Sequence, residues 1–107
     1  MDKKQVEKEI QNIVKQLVEK YKPQKIILFG SAAWGKFGPS SDLDFLIIKE
    51  KTPHLGVDRM REVDRLVETS LPCDFLVAKP SEVETRLKMG DPFLKTIFEK
   101  GKILYGG

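Results

Sequence analysis

Apolar residues in the first part of the chain recur at intervals of three and four between Lys3 and Tyr21. This spacing predicts an amphipathic helix over that range. Asp2, followed three residues later by Gln5, indicates a capping box at the start of the helix. Lys22 precedes Pro23, and because the residue before a proline disfavours the helical conformation, we expect the helix to end there.

Shorter apolar runs further along predict the strands of a sheet. Residues 26–29 are apolar on both faces, which is typical of a buried strand. Residues 42–48 and 73–78 have the composition of further strands, and residues 102–105 form a short extended tail. We therefore expect a sheet of three to four strands.

Helical spacing returns in the second half of the chain, where it predicts three helices, over 55–69, 81–89 and 93–100. Ser81 with Glu84 indicates a capping box for the second of these helices. Asp91-Pro92 indicates an N-cap with proline at the first helical position for the third. The apolar side chains of this last helix are predicted to lie in the core, with a partner surface as the alternative for an exposed part of the set: Phe93, Leu94, Ile97 and Phe98.

The order of these elements predicts an α/β or α+β fold. A small mixed central sheet would carry the helices packed on it. With 107 residues, the chain has room for one domain, residues 1–107.

Composition narrows the classes of function. The net charge is +3, and the basic residues alternate with acidic ones along the helices, so a dedicated nucleic-acid binder is not expected. The small excess of positive charge favours an anionic ligand such as a triphosphate. Cys73 is the one cysteine, which excludes an intrachain disulfide and a cysteine-based zinc site. The apolar runs are too short to cross a membrane and the N-terminus is charged, so we expect a cytoplasmic protein.

Acidic side chains stand where the second strand begins. Asp42 and Asp44 are two residues apart, so in a strand they share one face with Cα atoms about 6.5–7 Å apart. Two carboxylates this close repel each other, and a divalent cation would compensate their charge. Asp74 holds the second position of the next strand, and parallel pairing of the two strands would bring it beside the pair. Three carboxylates at one end of a sheet are suited to two Mg²⁺ ions.

A glycine-serine pair follows the first strand. Gly30-Ser31 opens a segment that Gly35 closes, and glycine there allows a phosphate to approach backbone N–H groups at the start of a helical turn. The Ser31 hydroxyl adds a further donor. Lys36 and Ser41, on the loop that follows, are additional candidates for phosphate binding, with plain surface charge as the alternative for Lys36.

Together these motifs resemble the signature of the nucleotidyltransferase superfamily that includes DNA polymerase beta. The signature combines Gly30-Ser31, Gly35 and the pair in Ser41-Asp42-Leu43-Asp44. The chain as a whole is similar to the minimal nucleotidyltransferase (MNT) family of bacteria and archaea. That resemblance includes the compact length, the first helix, Cys73-Asp74-Phe75 and the terminal segment 101–105.

The resemblance implies roles for individual residues. Asp42 and Asp44 would bind both metal ions, and Asp74 would bind the catalytic metal and help to deprotonate the acceptor. Gly30 and Ser31 would hold the β- and γ-phosphates. The family often has an arginine where this chain has Trp34, which removes one possible phosphate contact. Trp34 is expected to pack locally on the short helical turn, with nucleotide stacking or a partner surface as the alternatives.

The resemblance also implies an activity: Mg²⁺-dependent transfer of a nucleoside monophosphate, with AMP from ATP as the first expectation, to a hydroxyl of a partner protein. Many MNT proteins are antitoxins of a HEPN-domain ribonuclease, so a HEPN toxin is the expected partner. A non-catalytic antitoxin that acts by contact, and transfer to a small molecule, remain the alternatives. A polymerase is disfavoured because nothing remains to grip a template or primer.

Overall fold

Four β-strands form one mixed sheet in the order β3-β2-β1-β4. The structure is a computed structural model that describes residues 2–35, 38 and 41–106. Its elements in chain order are α1 (Lys3–Gln16), β1 (Lys25–Phe29), β2 (Leu43–Ile48), α2 (Gly56–Leu66), β3 (Cys73–Ala78), α3 (Pro80–Lys88), α4 (Pro92–Lys100) and β4 (Lys102–Tyr105). The predicted class, a small mixed sheet with helices packed on it, is confirmed.

The strands pair in both directions. β1 is antiparallel to β2 and to β4, whereas β2 and β3 are parallel. The predicted extended tail is therefore β4, an edge strand of the sheet. The other edge is β3, and the two strands that supply the candidate acids lie side by side.

Alternation along the strands divides the core into two layers. Phe45 of β2 and Phe75 of β3 stack at 5.5 Å on the face that α1 and α2 cover, which we call the α1/α2 face. Leu46 of β2 points the other way and packs with Leu94 and Ile97 of α4 on the α3/α4 face. The sheet is thus buried on both sides over most of its length.

The first helix begins as predicted and ends with a change of geometry. The Asp2 side chain accepts a hydrogen bond from the Gln5 backbone at 2.9 Å, and the Gln5 side chain accepts one from the Asp2 backbone, also at 2.9 Å. The capping box is confirmed. After Gln16 the helix continues as one π-helical turn, Leu17–Tyr21, and Lys22 closes it in the left-handed conformation at φ 57°.

Helix α2 is shorter than the predicted range 55–69, because residues past Leu66 have other partners. Val67 is extended. The next residue, Glu68, exchanges two backbone-to-side-chain hydrogen bonds with Gln16 of α1, both 2.8 Å. Ser70 then donates from its backbone and its hydroxyl to the buried carboxylate of Glu9. These contacts fasten the segment after α2 to α1.

Helix α3 begins one residue earlier than predicted, and its expected capping box is wrong. Pro80 is the first helical residue and Lys79 is the N-cap, whose backbone N–H donates to the Glu82 carboxylate at 2.8 Å. Helix α4 begins as predicted, with Asp91 as N-cap and Pro92 at the first position. Within the described ranges, no helix is long and apolar enough to cross a membrane.

Candidate active site

The candidate acids lie at the end of the sheet where β2 and β3 begin. Asp44 is the register partner of Asp74 on β3 and of Phe29 on β1. Residues paired across neighbouring strands share a face, and the residues flanking Asp44 and Asp74 along each strand pack on the α1/α2 face. Both carboxylates therefore face the α3/α4 side. Asp42 directly precedes β2, two residues before Asp44.

The charges of these carboxylates act on one another. Burial raises the pKa of Asp44, and the nearby charges of Asp74 and Asp42 raise it further. Asp44 is half-buried, whereas Asp42 and Asp74 are exposed. In the part of the chain that the structure describes, no side-chain ion pair involves any of the three. Among the described residues, the negative charge at this end of the sheet thus has no ion-pair partner.

The donor set suits Mg²⁺. Carboxylate oxygens are hard ligands, and Mg²⁺ is usually held by one or two of them together with water and substrate phosphates, without a preformed protein cage. Among the described residues, no group of three or more His, Cys, Asp or Glu side chains is gathered closely enough to hold a metal ion by itself. The three acids are close enough to interact electrostatically, and substrate phosphates would supply the remaining oxygens.

Gly30 lies against Asp44. It follows β1 directly and has φ +77°, and a Cβ built on it would overlap the Oδ2 atom of Asp44. Its carbonyl accepts hydrogen bonds from the backbones of Ala33 and Trp34, each at 3.1 Å. Ser31 therefore opens a hydrogen-bonded turn beside the carboxylate. The left-handed backbone favours glycine at position 30, and any larger residue would force the Asp44 side chain to move.

We expect Gly30→Ala to lower the melting temperature and to weaken binding of a Mg²⁺–nucleotide complex. The added methyl group meets both a left-handed backbone and the Asp44 side chain, and such substitutions cost about 1–3 kcal/mol. Differential scanning fluorimetry and calorimetric titration with a non-hydrolysable ATP analogue measure the two effects. Gly35→Ala is the matched control: Gly35 also has φ +77°, but a Cβ there meets no atom within 4 Å among the described residues. Equal nucleotide affinities of the two variants would contradict a special role for the space at Gly30.

Two further residues, Lys36 and Ser41, were predicted to bind phosphate. Lys36 lies outside the described residues. The hydroxyl of Ser41 accepts a hydrogen bond from the Gly38 backbone at 3.1 Å, and the Ser41 backbone donates to the Gly38 carbonyl at 3.1 Å. Ser41 thus closes the loop that leads to Asp42, and its contact with phosphate stays a prediction.

Cys73 is placed away from the acids. Its side chain packs on the α1/α2 face and contacts the Leu71 carbonyl at 3.3 Å. Burial raises the pKa of the thiol to about 12, so it remains protonated at neutral pH and is a poor nucleophile.

Trp34 also lies on the side of the sheet opposite the carboxylates. It is 45% exposed and lines a cavity of about 710 Å³ together with Val6 and Ile10 of α1, Leu28 of β1 and Leu104 of β4. Leu28 belongs to the core layer of the α1/α2 face. This position fits the partner-surface interpretation of Trp34 better than stacking of a base beside the acids.

The prediction that the whole apolar set of α4 is core is wrong for Phe93. Leu94 and Ile97 are buried, but Phe93 remains 49% exposed. Its ring packs edge-to-face on Phe29, with centroids 5.7 Å apart and planes at 88°. Helical spacing groups Phe93 with Ile97 four residues later, so the sequence alone did not distinguish it from the buried positions.

A second cleft, of about 550 Å³, lies on the α3/α4 face of the sheet, the face that also carries Asp44 and Asp74. Leu46 and Leu76 lie two residues beyond Asp44 and Asp74 on the paired strands and form its floor, while Thr85 and Arg86 of α3 stand at its wall. The acids therefore border open, partly apolar surface on the side of β3.

The structure thus brings strand-borne carboxylates beside a glycine turn on a mixed sheet, as expected from the nucleotidyltransferase signature. Residues 8–105 match the family model described as "Nucleotidyltransferase domain", and the chain belongs to this family of enzymes. It is 32% identical over 101 residues to a protein of Methanocaldococcus jannaschii named "Putative protein adenylyltransferase MJ0604", covering 92% of this chain and 97% of that protein.

A solved structure supports the same assignment. The crystal structure of a nucleotidyltransferase from Sulfolobus solfataricus, itself described as putative, superposes with a TM-score of 0.57. Sequence identity is 25%, and the match covers 79% of this chain and 82% of the other.

Proposed function

We propose that the protein transfers a nucleoside monophosphate, AMP from ATP, to a hydroxyl group of a partner protein in a Mg²⁺-dependent reaction. The observation that carries this proposal is the register of Asp44, which stands between Asp74 on one neighbouring strand and the end of β1, with its Gly30 turn, on the other. Asp44, Asp74 and the Gly30 turn thus lie at the same end of the sheet, which supports a site where the acids act beside the bound phosphates.

Each residue of the candidate site has a role that follows from its position. Gly30 and Ser31 bind the β- and γ-phosphates at the start of the turn, where glycine permits close approach. Asp42, Asp44 and Asp74 would hold Mg²⁺, which when bound would neutralise phosphate charge and favour ionisation of the attacking hydroxyl. Asp74 accepts the proton of the acceptor hydroxyl. The acceptor oxygen forms its bond to the α-phosphorus, and the bond from that phosphorus to pyrophosphate breaks.

A protein acceptor is supported by the exposure of the site on the β3 side. Asp74 is exposed and lies on an edge strand, so an acceptor can approach from solvent. The Methanocaldococcus jannaschii relative carries the name of a protein adenylyltransferase, which favours the same class of acceptor.

The resemblance to the MNT family extends the proposal to a biological role. The protein acts as the antitoxin of a HEPN-domain ribonuclease in the cytoplasm and silences that toxin by attaching AMP to it. The cavity at Trp34 offers an exposed apolar surface for such a partner, apart from the acids.

Incubation of the protein with its co-purified partner, ATP and Mg²⁺ tests the proposal. Intact-mass spectrometry should show that the partner gains one AMP, and chelation of Mg²⁺ should prevent the gain. Calorimetry with a non-hydrolysable ATP analogue should show binding that requires Mg²⁺. An unmodified partner that is nonetheless neutralised, also by the double variant Asp42→Asn/Asp44→Asn, would establish a contact antitoxin in place of an enzyme.

A further inference from the structure

An exposed aromatic ring stands beside the acid cluster, on the side of the Gly30 turn. Phe29 is the last residue of β1, immediately before Gly30, and is the register partner of Asp44. Phe93 packs edge-to-face on Phe29 and leaves about half of its surface to solvent. Phe29 and Asp44 are paired and share the α3/α4 face, so Phe93 packs on the neighbour of Asp44, on the side of the sheet that carries the carboxylates.

We propose that Phe93 is the platform on which the base of the bound nucleotide stacks. The inference rests on the proposed function, because it presupposes a nucleotide whose phosphates lie at Gly30 and Ser31. Every base has a π-face, and an exposed aromatic ring next to a phosphate site binds it by stacking, without reading its identity.

The ring is held in place by its surroundings. The Asp91 carboxylate accepts hydrogen bonds from the backbones of Phe93 at 2.9 Å and Leu94 at 3.2 Å. Arg86 of α3 binds the other carboxylate oxygen of Asp91 through two nitrogens, at 2.9 and 2.8 Å. The first turn of α4 is therefore tied both to its own cap and to α3, and little ordering of Phe93 is needed on binding.

The position of Phe93 favours the nucleotide over the acceptor. It lies toward β1, the strand that leads into the phosphate turn, whereas Asp74 and the approach for the acceptor lie toward β3 on the other side of Asp44. Trp34, the exposed aromatic side chain of the turn itself, lines the cavity on the opposite side of the sheet. Among the described residues, Phe93 is therefore the exposed aromatic side chain that lies on the correct side of the sheet to stack on the base.

Phe93→Leu removes the π-face and keeps apolar volume. We expect it to weaken binding of α,β-methylene-ATP in the presence of Mg²⁺ by about 5- to 150-fold, in line with the loss of one base stack. Binding of the corresponding GTP analogue should weaken by the same factor, because stacking does not distinguish the bases. Affinity for inorganic tripolyphosphate, which has no base, should stay within about twofold, and Phe93→Tyr should retain affinity for both nucleotides.

Tyr105→Leu is the matched control, because Tyr105 is 40% exposed and pairs with Ile26, whose side chain packs on the α1/α2 face. Unchanged nucleotide affinity in Phe93→Leu would overturn the inference, and so would an equal loss of tripolyphosphate binding, which would assign Phe93 to the phosphate site. Lost transfer to the partner with unchanged nucleotide affinity would assign it to the acceptor, against the proposal. A wild-type protein that binds neither tripolyphosphate nor nucleotide would refute the proposed function itself.

Discussion

Asp44→Asn should abolish nucleotide transfer and at the same time make the metal-free protein more stable. The carboxylate stands between the Gly30 turn and Asp74, and no described side chain compensates its charge. In the proposed function Asp44 is a central metal ligand, and its loss would remove several kcal/mol of transition-state stabilisation, so we expect a decrease in rate of at least about 10³-fold. Labelling of the partner from α-³²P-ATP measures this decrease.

Asp44→Asn should raise the stability of the metal-free protein, although it lowers activity, because of the charges around Asp44. Burial and the charges of Asp74 and Asp42 raise the pKa of Asp44, so its ionised form at neutral pH weakens the fold. Replacement by neutral asparagine relieves this repulsion, and because solvent screens this partly exposed site, we expect a gain of at most about 1 kcal/mol in Mg²⁺-free buffer. When Mg²⁺ and ATP are added, the wild-type protein should become more stable than Asp44→Asn, because ligand binding stabilises only the wild-type protein substantially.

Substitution of an exposed acid away from the site distinguishes the loss of one negative charge from the loss of a site residue. Asp64→Asn on α2 removes the same charge at an exposed position and should leave transfer unchanged. Full activity of Asp44→Asn would refute its assignment as a metal ligand. A lower melting temperature of that variant without metal would show that the carboxylate stabilises the fold.

Arg59→Ala should destabilise the fold strongly, although it lies outside the candidate site. The Arg59 side chain is 6% exposed and donates five hydrogen bonds. Two go to the carboxylate of Glu82 on α3, at 2.7 and 3.1 Å. The other acceptors are backbone carbonyls of Pro53, His54 and Val77. The guanidinium thus joins the entry to α2, the edge strand β3 and the start of α3.

Removal of Arg59 leaves these acceptors without their donor, and we expect a loss of about 3–5 kcal/mol in the free energy of unfolding. Urea denaturation measures it. Arg61→Ala on the same helix is the control, because Arg61 is largely exposed and its contact with Asp58 is 3.9 Å, so a loss of at most about 0.5 kcal/mol is expected. Equal losses in both variants would show that the buried network adds nothing.

Glu82→Gln probes the same network through pH. The hydrogen bond from Arg59, the one from the Lys79 backbone and the nearby charges outweigh burial and lower the pKa of Glu82 from its ordinary value to about 2. A lowered pKa contributes stability above the unfolded value, near 4.3, which is lost as the pH falls toward 2. The stability difference between wild type and Glu82→Gln should therefore be full at pH 7 and shrink between about pH 4.5 and 2. A difference that does not change over that range would contradict the ion pair.

Features that depend on near neighbours along the chain were accessible from the sequence. The caps formed by Asp2 and Asp91 involve residues two or three positions away, so their hydrogen bonds follow from spacing alone. The shared face of Asp42 and Asp44 follows from strand alternation, which is equally local. The start of α3 did not follow, because Glu82 rather than Glu84 meets the N-cap and is held there by Arg59.

By itself, then, the sequence determined the element order, the acid pair and the glycine turn, because each depends on local backbone geometry. Tertiary structure alone decided that Asp74 stands opposite Asp44, since the register of β2 and β3 follows from burial of side chains such as Phe45 and Phe75. It also decided that Phe93 is exposed beside the acids while Leu94 is buried. The inward side of α4 is selected by the sheet it packs on, and helical periodicity cannot specify that direction.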